Sequence, residues 1–236
     1  MKTVVISQPM YFPWVGMLEQ MRLADVFIYL DDAQFSKGGF FNRVQIKTER
    51  GTPWLTVPLS ENKLGQSLSE TQPASHDWRR KHLATLRQAY ARAPYLEEMM
   101  DLVGSVIDQD VNSLARLSAG SMESLADFFE ITPAEMQWSS RMDVKGTGSN
   151  RVLALCQEAG AERYITGHGA GDYLDHEIFE KAGIRVEYME YRKKPYSQLY
   201  GEFTPFVSGL DLAANCGKHG REVIESGAIY WKDFLK

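Results

Sequence analysis

Short apolar runs and a stretch of helical periodicity alternate at the beginning of the chain. Residues 2–7 are rich in Val and Ile and predict a buried strand. Two prolines break regular structure in the loop that follows, and residues 15–24 then carry apolar side chains at helical spacing. Residues 25–30 form a second β-branched and aromatic run. With the usual right-handed crossover, the two predicted strands would be parallel neighbours.

The middle of the chain has a helical pattern. Residues 43–47 and 54–58 predict two short strands joined by a polar turn, whereas residues 60–76 lack periodicity and predict a loop. From residue 77 to residue 129 the apolar positions recur at helical spacing, and Pro94 ends the first of three predicted helices. The α/β pattern then resumes, with predicted strands at 135–139, 163–166 and 184–189 and predicted helices at 150–159, 174–182 and near 219–226.

This order of elements predicts an α/β fold, with a mostly parallel Rossmann-like sheet and a helical insert in the middle of the chain. We expect a single α/β domain over residues 1–236, formed by 1–74 and 131–236, with a helical subdomain at about 75–130. A chain of 236 residues, 44% of them hydrophobic, is large and apolar enough to bury the core of such a fold.

Charge and cysteine content narrow the class of protein. A net charge of −5 argues against a protein that binds nucleic acid mainly through its phosphates. We interpret the basic runs 79–81 and 192–194 as solvent-exposed surface. Cys156 and Cys216 lie in no C-x-x-C pair, and no His/Cys cluster has zinc spacing, so the sequence predicts no zinc site and we assign no residue as a metal ligand. Isolated thiols are typical of a reducing cytosol.

The chain also lacks the sequence features of secreted and membrane proteins. Its first residues lack the long apolar segment that is typical of a signal peptide. No stretch approaches the roughly 20 apolar residues of a membrane-spanning helix. We therefore expect a cytoplasmic protein without membrane insertion.

Three segments that follow predicted strands carry the candidate chemistry. The first contains Gln8, Tyr11, Trp14 and Gly16. Gln8 offers a donor and an acceptor, and the two aromatic rings would stack on a flat or sugar-like ligand. Gly16 opens the predicted helix, whose free N–H groups would receive an anion. A proline-ordered loop that plugs the end of the sheet explains the same residues equally well.

The second segment follows the second predicted strand and contributes Asp31, Asp32, Gln34, Lys37, Asn42 and Arg43. Paired carboxylates at a strand end can act as acid or base, or hold Mg²⁺. Lys37 and Arg43 would bind a phosphate or a carboxylate. The alternative is a set of solvated turn charges in which Asp32 caps a helix.

The third segment is rich in glycine and contributes Gly167, His168, Gly169, Asp172 and Tyr173. It resembles a phosphate-cradling loop but lacks the spacing of a Walker motif and of the dinucleotide fingerprint. Histidine is the side chain that most readily exchanges a proton near neutral pH, so His168 is a candidate catalytic base, although a lone His is more often structural. Cys216, three residues before His219, is an alternative nucleophile.

The three segments are expected to converge. Parallel strands present their carboxyl ends at one edge of a sheet, and functional loops gather there. We therefore predict that a single cleft is lined by Gln8, Asp32, Arg43, His168 and Asp172. The competing outcome is that Asp172 caps the helix that follows it and His168 is exposed to solvent.

Ordered matches along nearly the whole chain resemble the WbqC-like family. They are QPMYFPWVG (8–16), ADVF (24–27), LDDAQF (30–35), NR (42–43), YITG (164–167), DYL (172–174), YSQ (196–198), FTPF (203–206), SGLD (208–211) and NCG (215–217). Through this resemblance Tyr196 and Gln198 join the predicted substrate-binding residues. Members of the family usually read His-Gln-Pro at the first strand end, where this chain has Ser7. If that His is the base, His168 is its nearest replacement.

The resemblance also implies a reaction. Members of the family often accompany O-antigen and other surface-polysaccharide genes, and a glycine- or aminoacyl-transferase role has been proposed for some. It implies an aminoacyl or acyl transferase that forms an amide or amine on an amino sugar, a nucleotide-linked acceptor or a modified nucleobase. Asp31 or Asp32 would then deprotonate or orient the amine. The resemblance leaves the cofactor unknown, and the alternative is a non-catalytic protein that binds a nucleotide sugar for a partner enzyme.

Overall fold

A computed structural model describes residues 1–60, 65–74 and 77–236 of the chain. Residues 61–64 and 75–76 of the predicted loop at 60–76 lie outside the described residues. The strands are β1 (Thr3–Ser7), β2 (Val26–Tyr29), β3 (Arg43–Gln45), β4 (Trp54–Thr56), β5 (Glu135–Trp138), β6 (Arg163–Thr166), β7 (Arg185–Met189) and β8 (Ala228–Tyr230). The helices are α1 (Val15–Leu23), α2 (Asp77–Ala89), α3 (Leu96–Ile107), α4 (Leu114–Phe128), α5 (Gly148–Glu158), α6 (His176–Lys181), α7 (Gly209–Cys216), α8 (Arg221–Ile224) and α9 (Trp231–Phe234).

A six-stranded sheet with the order β5-β2-β1-β6-β7-β8 forms the centre of the fold. Every neighbouring pair in it is parallel except β7 and β8. Strands β3 and β4 form a separate antiparallel pair. The helices α2, α3 and α4 come between β4 and β5. The predicted α/β fold with a mostly parallel sheet and a helical insert is therefore confirmed.

The order of the strands reverses at β1. From β1 the chain adds β2 and then β5 on one side, and it later returns to place β6 and β7 on the other side. Val4 of β1 accordingly pairs with Val26 of β2 and with Tyr164 of β6. Ligands of open α/β sheets bind outside the carboxyl ends of the strands at such a reversal. The ends of β1 and β6 are thus where a site is expected.

The two faces of the sheet are covered by different helices. Because side chains alternate along a strand, Val5 and Phe27 pack into one core with apolar residues of α1, α3, α4 and α7, whereas Val4 and Val26 pack into a second core with residues of α5 and α6. Contacts of α4 with α1 and of α3 with α7 join the insert to the first face. The insert therefore covers the same face of the sheet as α1.

The last part of the chain differs most from the prediction. The helix predicted near 219–226 is shorter in the structure, where it is α8. The sequence patterns did not predict α7, β8 or α9. Strand β8 exists through its antiparallel pairing with β7, a contact that no local pattern encodes. Among the described residues, no helix has the length and apolar character needed to span a lipid bilayer.

Candidate functional site

A cavity of about 910 Å³ opens at the carboxyl ends of β1 and β6. Its walls come from both strand ends, the loop after β1, helix α1, strand β3 and the loop after β6. The lining residues are Ile6, Ser7, Gln8, Met10, Trp14, Met17, Gln20, Leu30, Phe40, Gln45, Thr166, Gly167, His168, Gly169, Ala170, Tyr173, Met189 and Phe206. The cavity therefore lies at the reversal of the strand order, where ligands of this type of sheet bind.

The wall of the cavity carries almost no charge. None of the described residues that line it is Asp, Glu, Lys or Arg, and His168 is its one titratable group apart from the phenol of Tyr173. Its other polar groups are amides and hydroxyls, and its apolar groups are aromatic rings, methionines and aliphatic side chains. Burying an isolated charge against such a wall is costly. The part of a ligand held inside is therefore expected to be neutral.

Three glutamines supply the directional polarity of the cavity. Within the described chain, no hydrogen bond engages the side-chain amide of Gln8 or of Gln20. Gln45 donates to the carbonyl oxygen of Thr52 at 3.2 Å, which leaves its own carbonyl oxygen available as an acceptor. Each free amide offers both a donor and an acceptor to a ligand. Of these three glutamines, Gln8 was predicted from the sequence, whereas Gln20 and Gln45 were not.

Trp14 reaches the cavity because the residue two positions later has no side chain. A Cβ atom on Gly16 would lie 2.3 Å from the Trp14 indole, so only glycine lets the ring fold over the first turn of α1. The indole also packs edge-on against Tyr191, with ring centroids 4.9 Å apart. Gly16 is buried and does not line the cavity. The prediction that Gly16 binds an anion is therefore replaced by a role in seating Trp14.

The other aromatic residue of the first segment points into the core. Tyr11 is fully buried, and its hydroxyl lies 3.0 Å from Nδ1 of His82. Nε2 of His82 lies 3.0 Å from the carbonyl oxygen of Thr56, so that nitrogen carries the proton and Nδ1 accepts from Tyr11. Tyr11 cannot stack on a ligand in this position. Its predicted substrate-binding role is corrected to an anchor between the first loop and α2.

His168 stands at the beginning of a 3-10 turn that follows β6. Its Nε2 lies 2.7 Å from the carbonyl oxygen of Met189, at the end of β7. A carbonyl only accepts, so Nε2 carries the hydrogen and Nδ1 of the neutral ring keeps its lone pair. Nδ1 has no hydrogen-bond partner among the described residues, and the side chain is exposed at the cavity. The arrangement provides a base with a defined tautomer.

The carboxylates Asp31 and Asp32 belong to a neighbouring cluster instead of the cavity. Asp31 is buried and accepts from the Ser140 amide at 3.0 Å and the Ser140 hydroxyl at 2.7 Å. Asp32 accepts from the Ser139 hydroxyl at 2.6 Å and forms an ion pair with Arg151 of α5. Because β2 lies between β1 and β5, its end faces the residues after β5. The prediction that these carboxylates act on a substrate beside His168 is not supported by this geometry.

The ionisation of Asp32 is determined by its partners. Burial by itself would raise the pKa of Asp32, but the hydrogen bonds from Arg151 and Ser139 outweigh it and hold the pKa below its ordinary value. Asp32 is therefore a carboxylate throughout the neutral range and accepts hydrogen bonds from protein donors. A group in this state is a poor proton acceptor for an incoming amine.

The remaining residues of the second segment also lie outside the cavity wall. Gln34 and Lys37 are exposed, and Asn42 donates to the carbonyl oxygen of Val57 at 2.9 Å. The Arg43 guanidinium donates to the carbonyl oxygens of Gly38 and Gly39 and lies 4.2 Å from the centroid of a Trp54 ring. These bonds fold the loop that carries Phe40 to the cavity rim. Arg43 thus shapes the rim and does not contact its interior.

In the third segment, Gly167, Gly169 and Tyr173 line the cavity together with His168, whereas Asp172 is exposed and does not. The side chain that caps α6 is Asp175, which accepts from the Glu177 amide at 3.2 Å. The expected single cleft of five residues therefore contains Gln8 and His168 but not Asp32, Arg43 or Asp172. The alternative role of Asp172 as a helix cap is wrong as well.

Tyr196 and Gln198 form a half-buried network away from the cavity. Gln198 donates to the Tyr196 hydroxyl at 2.9 Å, and that hydroxyl donates to Oδ1 of Asp211 at 2.9 Å. The ammonium group of Lys47 donates to the Gln198 carbonyl oxygen at 2.9 Å. Burial raises the pKa of Asp211. The predicted ligand contacts of Tyr196 and Gln198 are corrected to bonds that hold the loop between β7 and α7.

The cysteines have no features of nucleophiles. Cys156 is buried in the second core, and burial raises the pKa of its thiol. Burial, followed by the charge of Asp211, raises the pKa of the Cys216 thiol, which disfavours the reactive thiolate. Within the described ranges, no three His, Cys, Asp or Glu side chains come close enough together to hold a metal ion.

Comparison with known proteins agrees with the sequence motifs at the cavity. The model of the WbqC-like protein family matches residues 8–223, which is most of the chain. The chain belongs to the WbqC-like protein family. This family match begins at Gln8, directly after β1, includes the end of β6 and stops before β8 and α9.

A relative in Mycobacterium tuberculosis, described as the uncharacterized protein Rv1507c, is 32% identical over 221 residues, covering 92% of this chain and 95% of the relative. No solved structure matches the chain.

Proposed function

We propose that this WbqC-like protein is an aminoacyl (glycine-type) or acyl transferase of the cytoplasm. Its cavity would hold the neutral part of an amino-sugar, nucleotide-linked or modified-nucleobase acceptor. The observation that carries the proposal is the geometry of His168, whose Nε2 is occupied by the Met189 carbonyl while Nδ1 remains free at the cavity. General bases of this kind are oriented through the ring nitrogen that does not react.

The proposed step forms one bond and breaks one bond. The acceptor amine nitrogen attacks the carbonyl carbon of an activated acyl donor, and His168 Nδ1 takes the proton that this nitrogen loses. The bond between the acyl carbon and the leaving group of the donor then breaks. The leaving group departs with the bonding electron pair and receives the proton from the imidazolium. His168 is thereby returned to its neutral form.

The amides around the cavity suit the acceptor in this proposal. Sugars and nucleobases present several neutral donors and acceptors, which the side chains of Gln8, Gln20 and Gln45 would satisfy. Trp14 provides an aromatic surface for a ring, as in many sites for flat or sugar-like ligands. A phosphate of a nucleotide-linked acceptor would remain at the mouth, because the described wall is uncharged.

The decisive experiment combines an acceptor panel with mass spectrometry. Purified protein is incubated with activated glycine and acetyl donors and with amino sugars, nucleotide-linked amino sugars and aminated nucleosides. We expect a mass gain equal to one acyl group on one acceptor class. The alternative of a non-catalytic nucleotide-sugar-binding protein, favoured by Ser7 in place of the usual family His, predicts tight binding of an acceptor with no mass gain.

A further inference from the structure

The last residues of the chain pack directly on the loop that carries His168. Strand β8 pairs with β7, and α9 follows at once. The ring of Phe234 lies with its centroid 4.8 Å from that of His168 and 4.1 Å from that of Tyr188, almost parallel to the latter. Phe234 thus contacts the imidazole and also the strand whose end supplies the Met189 carbonyl.

This contact matters because one hydrogen bond does not fix a ring. His168 is exposed and lies between Gly167 and Gly169, which restrict the backbone little. A ring held only by its Nε2–H bond to Met189 can still turn out of that bond, and either ring nitrogen can then carry the hydrogen. Phe234 packs against the ring from the side, so rotation would require the aromatic side chain to move. The direction of Nδ1 therefore depends on the position of Phe234.

Glu180 of α6 holds the C-terminal residues in place. Its carboxylate accepts from the Tyr230 hydroxyl, from the Trp231 indole nitrogen at 3.0 Å and from the Lys232 ammonium at 3.2 Å. The Trp231 ring also stacks on His176, with centroids 4.5 Å apart and planes 16° apart. Three successive donors on one carboxylate fix the segment immediately before Phe234. The stacking adds a second attachment to the same helix.

We infer that residues 228–236 are a positioning segment for His168. Phe234 is the residue that orients the imidazole, and Glu180 is the residue that keeps Phe234 against it. Neither residue lines the cavity, so each acts through His168 and not on the ligand. The consequence for turnover rests on the proposed function, whereas the orientation of the ring is a property of the folded protein by itself.

The test compares two glutamates of one helix. Glu180→Ala removes the acceptor of all three hydrogen bonds. The control, Glu177→Ala, removes an exposed carboxylate that lies 3.7 Å from the Lys181 ammonium group. Long-range ¹H–¹⁵N spectra of ¹⁵N-histidine-labelled protein report the tautomer of His168. We expect the Nε2–H form in the unmodified protein and in Glu177→Ala, and a mixture of both tautomers in Glu180→Ala. Phe234→Leu, which keeps an apolar side chain, should also give the mixture.

Activity supplies the second readout. With an acceptor that turns over, Glu180→Ala and Phe234→Leu should lower kcat about tenfold while KM stays within about twofold, because misplacement of a catalytic group affects the chemical step. Circular dichroism and thermal unfolding verify that both variants are folded. A single Nε2–H tautomer of His168 in both folded variants would overturn the inference. A mixed tautomer in protein that transfers no acyl group leaves the positioning role established and counts only against the proposed function.

Discussion

The Nε2 atom of His168 lies 2.7 Å from the carbonyl oxygen of Met189, and this contact determines which ring nitrogen can act as a base. It also joins the ends of β6 and β7, two of the three strands on one side of β1. His168 is therefore oriented by the sheet itself at the cavity, where Gln8 directly follows the first strand. A base oriented in this way leads to a direct prediction for substitution of His168.

Replacement of His168 by Gln should separate binding from turnover. A glutamine amide retains an N–H that can donate to the Met189 carbonyl but has no basic nitrogen. We expect kcat to fall by roughly 10²–10⁴, the usual contribution of a general base, with acceptor affinity changed less than about threefold. His219→Gln, an exposed histidine outside the cavity wall, is the matched control and should be fully active. Unchanged kcat in His168→Gln would eliminate His168 as the base.

Replacement of Gly16 by Ala should disturb the cavity through Trp14. The new Cβ would lie 2.3 Å from the indole, so the ring must leave its place on α1. Overpacking of this kind lowers the free energy of unfolding by about 1–3 kcal/mol, and acceptor binding should weaken as the aromatic wall is lost. In Gly120→Ala the Cβ meets no atom within 4 Å, so stability should not fall. Thermal unfolding and acceptor titration measure both effects.

Replacement of Arg151 by Ala should destabilise the protein at neutral pH. Asp32 would keep its hydrogen bond from Ser139 but lose its counter-ion in a half-buried place. Because Asp32 is only partly buried, we expect a loss of about 1–3 kcal/mol, below the value for fully buried pairs. Arg87→Ala, which breaks an exposed pair with Glu97, should cost less than about 1 kcal/mol.

The pH dependence of this effect has a definite sign. The folded pKa of Asp32 is lowered, so its stabilisation is present above the unfolded pKa and is lost as the pH falls through the folded value. The stability difference between unmodified protein and Arg151→Ala should therefore shrink below about pH 4. Urea unfolding at pH 7 and pH 3 checks this. A difference that grows on acidification would contradict the assigned ion pair.

His82 should make the protein sensitive to mild acid. Burial lowers the pKa of His82 to about 4, whereas the unfolded chain titrates near 6.5. The unfolded state thus binds a proton between these values and the folded state does not, so stability falls as the pH drops from about 6.5 to about 4. We expect about 1–2 kcal/mol of loss between pH 7 and pH 5 from this residue. The slope should be smaller in His82→Asn, and an equal slope would count against the effect.

The local pattern of apolar and polar residues predicted most of the strands and helices, and also the polar residues that follow them. The segments that form β1, β2 and β6 are rich in β-branched and aromatic residues, and most of their residues are buried because both faces of the strands are covered. This composition is recognisable in each segment by itself. The helical spacing of residues 77–129 likewise reflects one apolar face per helix. Gln8 and His168 were therefore recognisable as polar residues directly after buried strands.

Only the tertiary structure decided which of those residues meet. The order of strands arises from pairing between distant segments, so β6 rather than β5 lies beside β1 and brings His168 to Gln8. The same order turns Asp31 and Asp32 toward Ser139, Ser140 and Arg151. Short elements such as β8 and α9 have too few residues for a periodic pattern and form through contacts with β7 and α6. Sequence alone specifies the candidates for the site, whereas non-local pairing selects among them.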